Sequence, residues 1–170
     1  VSHVGGLRVV TLDSLVPGEV AGLLGERQLE RLEALLATPA PAGTLLVLHH
    51  PPLRIPAVPL AERVVLQQVE ALADVVRGRD VRAVLAGHLH FQVTGTLAGV
   101  PVWVTPGVVT RIDTTAPPHL VRGVLGAAAT VVDLEGPEAP TFHVLHARDR
   151  RAGEPVYVYD AVTGADVDEP

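Results

Sequence analysis

Apolar residues recur along this chain at two spacings, and the switch from one to the other outlines an architecture. Leu7-Arg8-Val9-Val10-Thr11-Leu12 is a short β-branched run that predicts a buried strand ending at Asp13. Val16-Pro17-Gly18 then turns the chain into a loop. From Glu26 to Ala37 the spacing changes: Leu29, Leu32 and Leu36 recur at three and four residues, the stripe of an amphipathic helix, and Thr38-Pro39 stops it. Thr44 to Leu48 is continuously apolar, as expected of a strand covered on both faces. After His50-Pro51-Pro52 a proline-interrupted loop runs to Pro59. A second helix is expected from Leu60 to Val76, with Val65, Val69, Leu72 and Val76 as its buried stripe, ended by Gly78. Val81 to Ala86 predicts another buried strand. Phe91 to Leu97 and Val100 to Thr105 flank Ala98-Gly99 as a hairpin.

Beyond Pro106 the pattern weakens. Thr110 to Pro118 reads as a polar loop, Ala127 to Leu134 and Thr141 to His146 as two strands, and Val156 to Tyr159 as a last short one. Strand and helix alternate and then give way to a run of strands, which predicts an α/β layer with an antiparallel extension. The length suits one domain, expected over residues 1–160, with an acidic, mobile tail over residues 161–170.

Composition narrows the function classes. Nearly half of the 170 residues are apolar, enough for a globular core of Val, Leu and Ala. A formal charge of -6 argues against a nucleic-acid polymer as partner, because no excess of cations is available to displace counterions. With no Cys, disulfides and thiolate metal sites are excluded. No apolar run reaches the roughly 18 residues of a membrane span, and Val1 to Val10 does not read as a signal peptide, so a cytoplasmic location is the expectation. The chain opens at Val1 and runs almost at once into a strand, the start expected of a segment of something longer.

The candidate chemistry sits at two strand ends. His49 follows one buried strand; Gly87-His88-Leu89-His90 follows the next. In open α/β sheets, loops beyond the carboxyl ends of neighbouring strands converge, so adjacency of these two strands would bring imidazoles together on one edge. On an extended chain His88 and His90 would face one way and Leu89 the other, while His49 and His50 would point to opposite sides. The geometry of an extended chain does not choose which of that pair is the ligand. Gly87 permits a tight turn or a close approach of backbone to a ligand. A lone histidine is more often a hydrogen-bonded core residue than a ligand, and His3, His119, His143 and His146 have no comparable setting. Surface or satisfied-core roles are expected for those four, with His119 in a loop that could overhang a site.

The segment from Val4 to Thr105 resembles the calcineurin-like metallophosphoesterase superfamily, and within it the bacterial class III cyclic-nucleotide phosphodiesterases. The resemblance is carried by Leu12-Asp13-Ser14, Val16-Pro17-Gly18, Gln28-Leu29, the strand entering His49-His50-Pro51-Pro52, and GRDVRAVLAGHLH from Gly78 to His90. It implies one half, the C-terminal half, of a two-sheet α/β/β/α sandwich: a mixed sheet with flanking helices and the antiparallel extension. It also implies that His49, His88 and His90 are metal ligands, with His49 and His88 on one ion and His90 on the other. His50 and Gly87 become neighbours of the site. The implied cofactors are two di- or trivalent ions (Mn, Fe or Zn), and the implied reaction is phosphodiester hydrolysis by a hydroxide bridging them. A cyclic nucleotide is the first substrate to consider, and a homodimer is implied as well.

The family's D-x-H, G-D and G-N-H-D motifs do not occur here, and with no Asn in the chain the last is impossible. Three neutral imidazoles cannot hold two divalent cations together against their repulsion. This segment alone is therefore expected to be inactive and to bind at most one metal weakly, with no catalytic residue of its own. Glu19-Val20-Ala21 stands where the cyclic-nucleotide branch often carries histidines. Two rival readings are a non-catalytic binding module on the same fold and an independent mononuclear three-histidine zinc site. A chain supplying one sheet of a two-sheet sandwich would also expose an apolar face and associate through it.

Overall fold

The computed structural model describes residues 1–58, 60–136 and 140–168. Its centre is a six-stranded mixed sheet built from β1 (Ser2–Val4), β2 (Leu7–Thr11), β3 (Thr44–Val47), β4 (Val81–Ala86), β5 (Val93–Leu97) and β6 (Val100–Val104), in the order β1-β2-β3-β4-β6-β5. β2, β3, β4 and β6 run parallel, while β1 and β5 close the two edges antiparallel. The strands expected at Leu7, Thr44 and Val81 are thus neighbours. The hairpin turn is Ala98-Gly99, both at positive φ, which matches the twist of a two-residue connection.

One face of this sheet holds the main core. Val10, Leu46, Val84 and Val102 stand in register across four strands and are almost fully buried. They form one cluster with Leu32 and Leu36 of α1 (Glu26–Leu36) and Leu72 and Val76 of α2 (Val69–Val76), so both helices cover this face and touch each other. Burial of each such side chain contributes about 1.5–3 kcal/mol.

The next row, Thr11, Val47, Leu85 and Trp103, points the other way and is less buried. It is covered in part by the hairpin of β9 (Ala128–Asp133) and β10 (Thr141–His146). There Trp103 stacks on Phe142 with centroids 4.9 Å apart and donates its indole N–H to Thr130 at 3.0 Å. Arg82 ties the same hairpin to β4 through the carbonyls of Leu134 and Gly136. A third sheet, β11 (Pro155–Asp160), β8 (Leu120–Leu125) and β7 (Thr110–Ile112), is antiparallel and buries Val121, Val124 and Val158. This is the mixed α/β architecture with an antiparallel extension that the hydrophobic pattern predicts.

Four elements depart from that pattern. The helix expected from Leu60 to Val76 is broken: a 3₁₀ turn spans Ala61–Arg63, and only Val69–Val76 is α-helical. Between them Leu66 bridges Gly22 in parallel and Gln68 sits at φ 52, so backbone pairing with the loop after β2 replaces helical hydrogen bonds over β-branched Val64-Val65. Thr110 to Ile112, expected as loop, is a strand, because Leu120 to Leu125 forms an unforeseen strand that pairs with it. Ser2–Val4 adds an edge strand through the Gly5-Gly6 turn. The segment expected as an acidic tail turns at residues 161–163, and Asp166 bridges back to Tyr159. Pro59, Glu169 and Pro170 lie outside the described residues.

The end of the sheet remote from the histidines is pinned by a buried ion pair. Arg8 of β2 reaches Asp80 with one guanidinium nitrogen 3.1 Å from both carboxylate oxygens, and also donates to Thr44 Oγ1 and to the carbonyls of Leu35 and Thr38. Asp80 in turn accepts from Thr44 Oγ1 and Ala40 N–H, both at 2.8 Å. The two side chains are only 6% and 12% exposed. Removing one partner of such a pair leaves an uncompensated buried charge. Asp80→Ala is therefore expected to cost about 3–5 kcal/mol of stability, measured by urea unfolding. A loss near zero would show that the network does not pin the sheet.

Candidate metal centre

β3 and β4 lie side by side and parallel, so the loops leaving their carboxyl ends start next to each other. Backbone pairing continues into those loops: Leu48 N–H donates to Leu85 O, and Gly87 N–H donates to His49 O at 3.1 Å. The consequence is a cluster of imidazoles. His49 and His88 have ring centroids 4.6 Å apart, His50 and His88 also 4.6 Å, and His49 and His50 4.9 Å. Each offers one ring nitrogen, and those nitrogens all lie within 4.8 Å of one another.

His49 and His50 do not diverge as an extended chain would make them. β3 ends at Val47, and the two residues sit in a bend, where strand alternation no longer applies. His49 is exposed, whereas His50 is buried. Ser14 Oγ sits 2.8 Å from His50 Nδ1 and also accepts from His50 N–H, which fixes the ring. Gly22 lies against His50, so close that a Cβ there would collide with its Cβ and ring. Ser14 and Gly22 were not legible as site residues. Neither type carries a signal without knowing that the loop after β2 folds over His50.

The GHLH segment is also not extended. His88 and His90 both have left-handed backbone, at φ 70 and 54, a conformation that non-glycine residues hold only where the surroundings over-determine it. Leu89 between them is buried, as expected. His90 stands apart from the three-histidine cluster. Its Nδ1 is 3.0 Å from Thr110 Oγ1, its carbonyl accepts from Ile112 N–H, and Gly107 packs against its ring. These contacts engage Nδ1, so Nε2 is the ring nitrogen that could coordinate a cation. Gly87 supplies the link between β4 and His88. His3, His119, His143 and His146 are all exposed and away from the cluster; His146 lines a separate cavity of about 520 Å³.

Two of the three imidazoles, His50 and His88, are held toward the neutral form. His88 is lowered from 6.5 to about 4, first by burial and then by the neighbouring His49 and His50, against a hydrogen bond donated to the Val20 backbone carbonyl, which raises it. Burial, then His49, also lowers His50. Neutral imidazoles keep a lone pair, the form that binds a metal. Three imidazole nitrogens suit one divalent cation in kind: zinc–nitrogen bonds of about 2.0–2.1 Å would set tetrahedral ligand atoms about 3.3 Å apart, so nitrogens that now lie within 4.8 Å of one another would have to draw together. Among the described residues, this group includes no carboxylate.

No protein-family model matches the chain. It is 57% identical over 98 residues to a probable cyclic nucleotide phosphodiesterase of Rhodococcus erythropolis, covering 57% of this chain and 32% of that protein. It is 46% identical over 128 residues to a cAMP/cGMP dual specificity phosphodiesterase of Mycobacterium tuberculosis, covering 75% of this chain and 40% of that protein. A crystal structure of a dimetal phosphatase from Danio rerio aligns at a TM-score of 0.41 and 24% identity over 61% of this chain and 32% of that one. The chain is thus similar in sequence to proteins named cyclic nucleotide phosphodiesterases, and it spans about a third to two fifths of their length.

The sign of the His88 shift sets a pH dependence. Folded His88 binds fewer protons than unfolded His88 between pH 6.5 and about 4. Its contribution to stability is therefore fully present above pH 6.5 and is lost as pH falls through that window. In the metal-free chain, imidazole NMR signals should show His88 neutral until near pH 4, with thermal stability falling across the same range. Ordinary titration of His88 near 6.5 would contradict the clustered geometry.

Proposed function

We propose that this chain carries the histidine half of a two-metal phosphoesterase centre, and that the complete protein hydrolyses a phosphodiester, with a cyclic nucleotide as the preferred substrate class. The observation that supports it most is the convergence of His49, His50 and His88 at the carboxyl ends of two adjacent parallel strands. The activity for which its relatives are named, cyclic nucleotide phosphodiester hydrolysis, agrees with that chemistry.

In this reading His49 and His88 hold one ion and His90 contributes Nε2 to the second. His50 stays a buried neighbour, oriented by Ser14, that supports the wall of the site. Mixed imidazole and carboxylate ligation suits Mn, Fe and Zn alike. Lewis acidity, for activating water and for neutralising phosphoryl charge, is what such ions supply when bound. Two neighbouring divalent cations would need anionic ligands to offset their mutual repulsion. Among the described residues the cluster is all imidazole, and in this reading the carboxylates come from polypeptide outside this chain. Domain limits of 1–160 and 161–170, a homodimer and a cytoplasmic address are part of the same reading.

The test is hydrolysis. A polypeptide extended upstream to the length of the relatives should cleave 3′,5′-cyclic AMP with added Mn²⁺, and His88→Ala should lower kcat/KM by at least about a hundredfold. The 170-residue chain by itself should show no turnover. Robust hydrolysis by the short chain, or an extended polypeptide indifferent to His88→Ala, would overturn the assignment.

A further inference from the structure

Beside the histidines lies a cavity of about 250 Å³ whose lining is largely apolar. His88, His90, Leu89, Ile112, Tyr157 and Tyr159 are among the residues that line it. Among the described lining residues there is neither a carboxylate nor a guanidinium. The cavity is therefore unsuited to a phosphate of its own, and it cannot select an amino group by ion pairing.

Its aromatic wall is firmly built. Tyr157 and Tyr159 are two apart on β11, so both rings project from the same face of the strand, with centroids 6.1 Å apart and planes inclined by 26°. The Tyr157 ring lies against Gly123 of the paired strand β8, where any Cβ would collide with it, so the glycine sets how deep the ring sits. Tyr157 lies near enough to Thr110 to interact with its side chain, and the Thr110 hydroxyl meets His90 Nδ1 at 3.0 Å. Wall and metal-ligand candidate are thereby joined by one buried threonine.

We propose that this cavity is the subsite for the nucleobase, with Tyr157 and Tyr159 as the residues that recognise it, when the phosphoryl group lies at His88 and His90. The placement rests on the phosphoesterase reading; the affinity for a base does not. A flat, uncharged heterocycle matches the wall, because stacking uses the π-face that every base presents. The wall reads faces and has no charged group to read base edges, so adenine and guanine should be accepted almost equally.

The experiment uses the full chain without added metal, and adenosine, which has no phosphate, as probe. Saturation-transfer NMR should show adenosine bound and ribose not bound. Tyr157→Ala and Tyr159→Ala, each verified as folded by circular dichroism, should weaken adenosine association at least about fivefold. Tyr157→Phe keeps the ring and should stay within about twofold of the parent. Guanosine should bind within about threefold of adenosine. Absence of adenosine binding, indifference to both alanine variants, or a Tyr157→Phe loss as large as that of Tyr157→Ala would overturn the subsite. A wrong phosphoesterase reading would appear differently, as lost turnover in the extended polypeptide with adenosine binding intact.

Discussion

The parallel pairing of β3 with β4 is the constraint on which the rest of this structure depends. Two strands that run the same way must be joined by a crossover, and here the crossover carries the 3₁₀ turn and α2 over the helical face of the sheet. Both strands therefore release their chains at the same edge. His49 leaves one strand end, His88 leaves the next, and the hydrogen bond from Gly87 N–H to His49 O keeps the two exits in step. Left-handed backbone at His88 and His90 follows from the same demand, since the chain must turn sharply at that edge before β5 begins.

The opposite edge explains why the pairing holds its register. Thr44 opens β3 completely buried, and its hydroxyl lies between Arg8 and Asp80. Asp80 immediately precedes β4, and its carbonyl accepts from Thr44 N–H at 2.8 Å. One carboxylate thus fixes where β3 begins relative to β4 and where β2 lies beside them. A slip by one residue would exchange the buried row of Val10, Leu46, Val84 and Val102 for the less buried one, and would separate the two histidine-bearing ends. The polar network lies at one end of the β3–β4 pair and the imidazoles at the other, with a one-residue register shift between Thr44 and Leu45 separating them.

Much of this was legible in the residues. The continuous apolar runs at Thr44 and Val81 announce central strands, and their histidine endings announce where a site would form. The stripe of Leu29, Leu32 and Leu36 announces α1 almost to its ends. What stayed hidden was non-local. Arg8 reads as a surface cation until Asp80 is placed beside it. Ser14 and Gly22 acquire their roles only when the loop after β2 closes over His50. Leu120–Leu125 was unforeseen because its partners, Thr110–Ile112 and Pro155–Asp160, lie on either side of it and have little periodicity of their own. The broken second helix has the same cause: Leu66 pairs with Gly22, more than forty residues away in sequence.

The most direct test of the central claim is where a paramagnetic cation settles. Substoichiometric Mn²⁺ added to the chain at pH 7 should broaden the imidazole NMR signals of His49, His50 and His88 selectively, with those of His3, His119, His143 and His146 left sharp. Broadening spread evenly over all eight histidines, or none at the three, would contradict a metal centre built by the two strand ends.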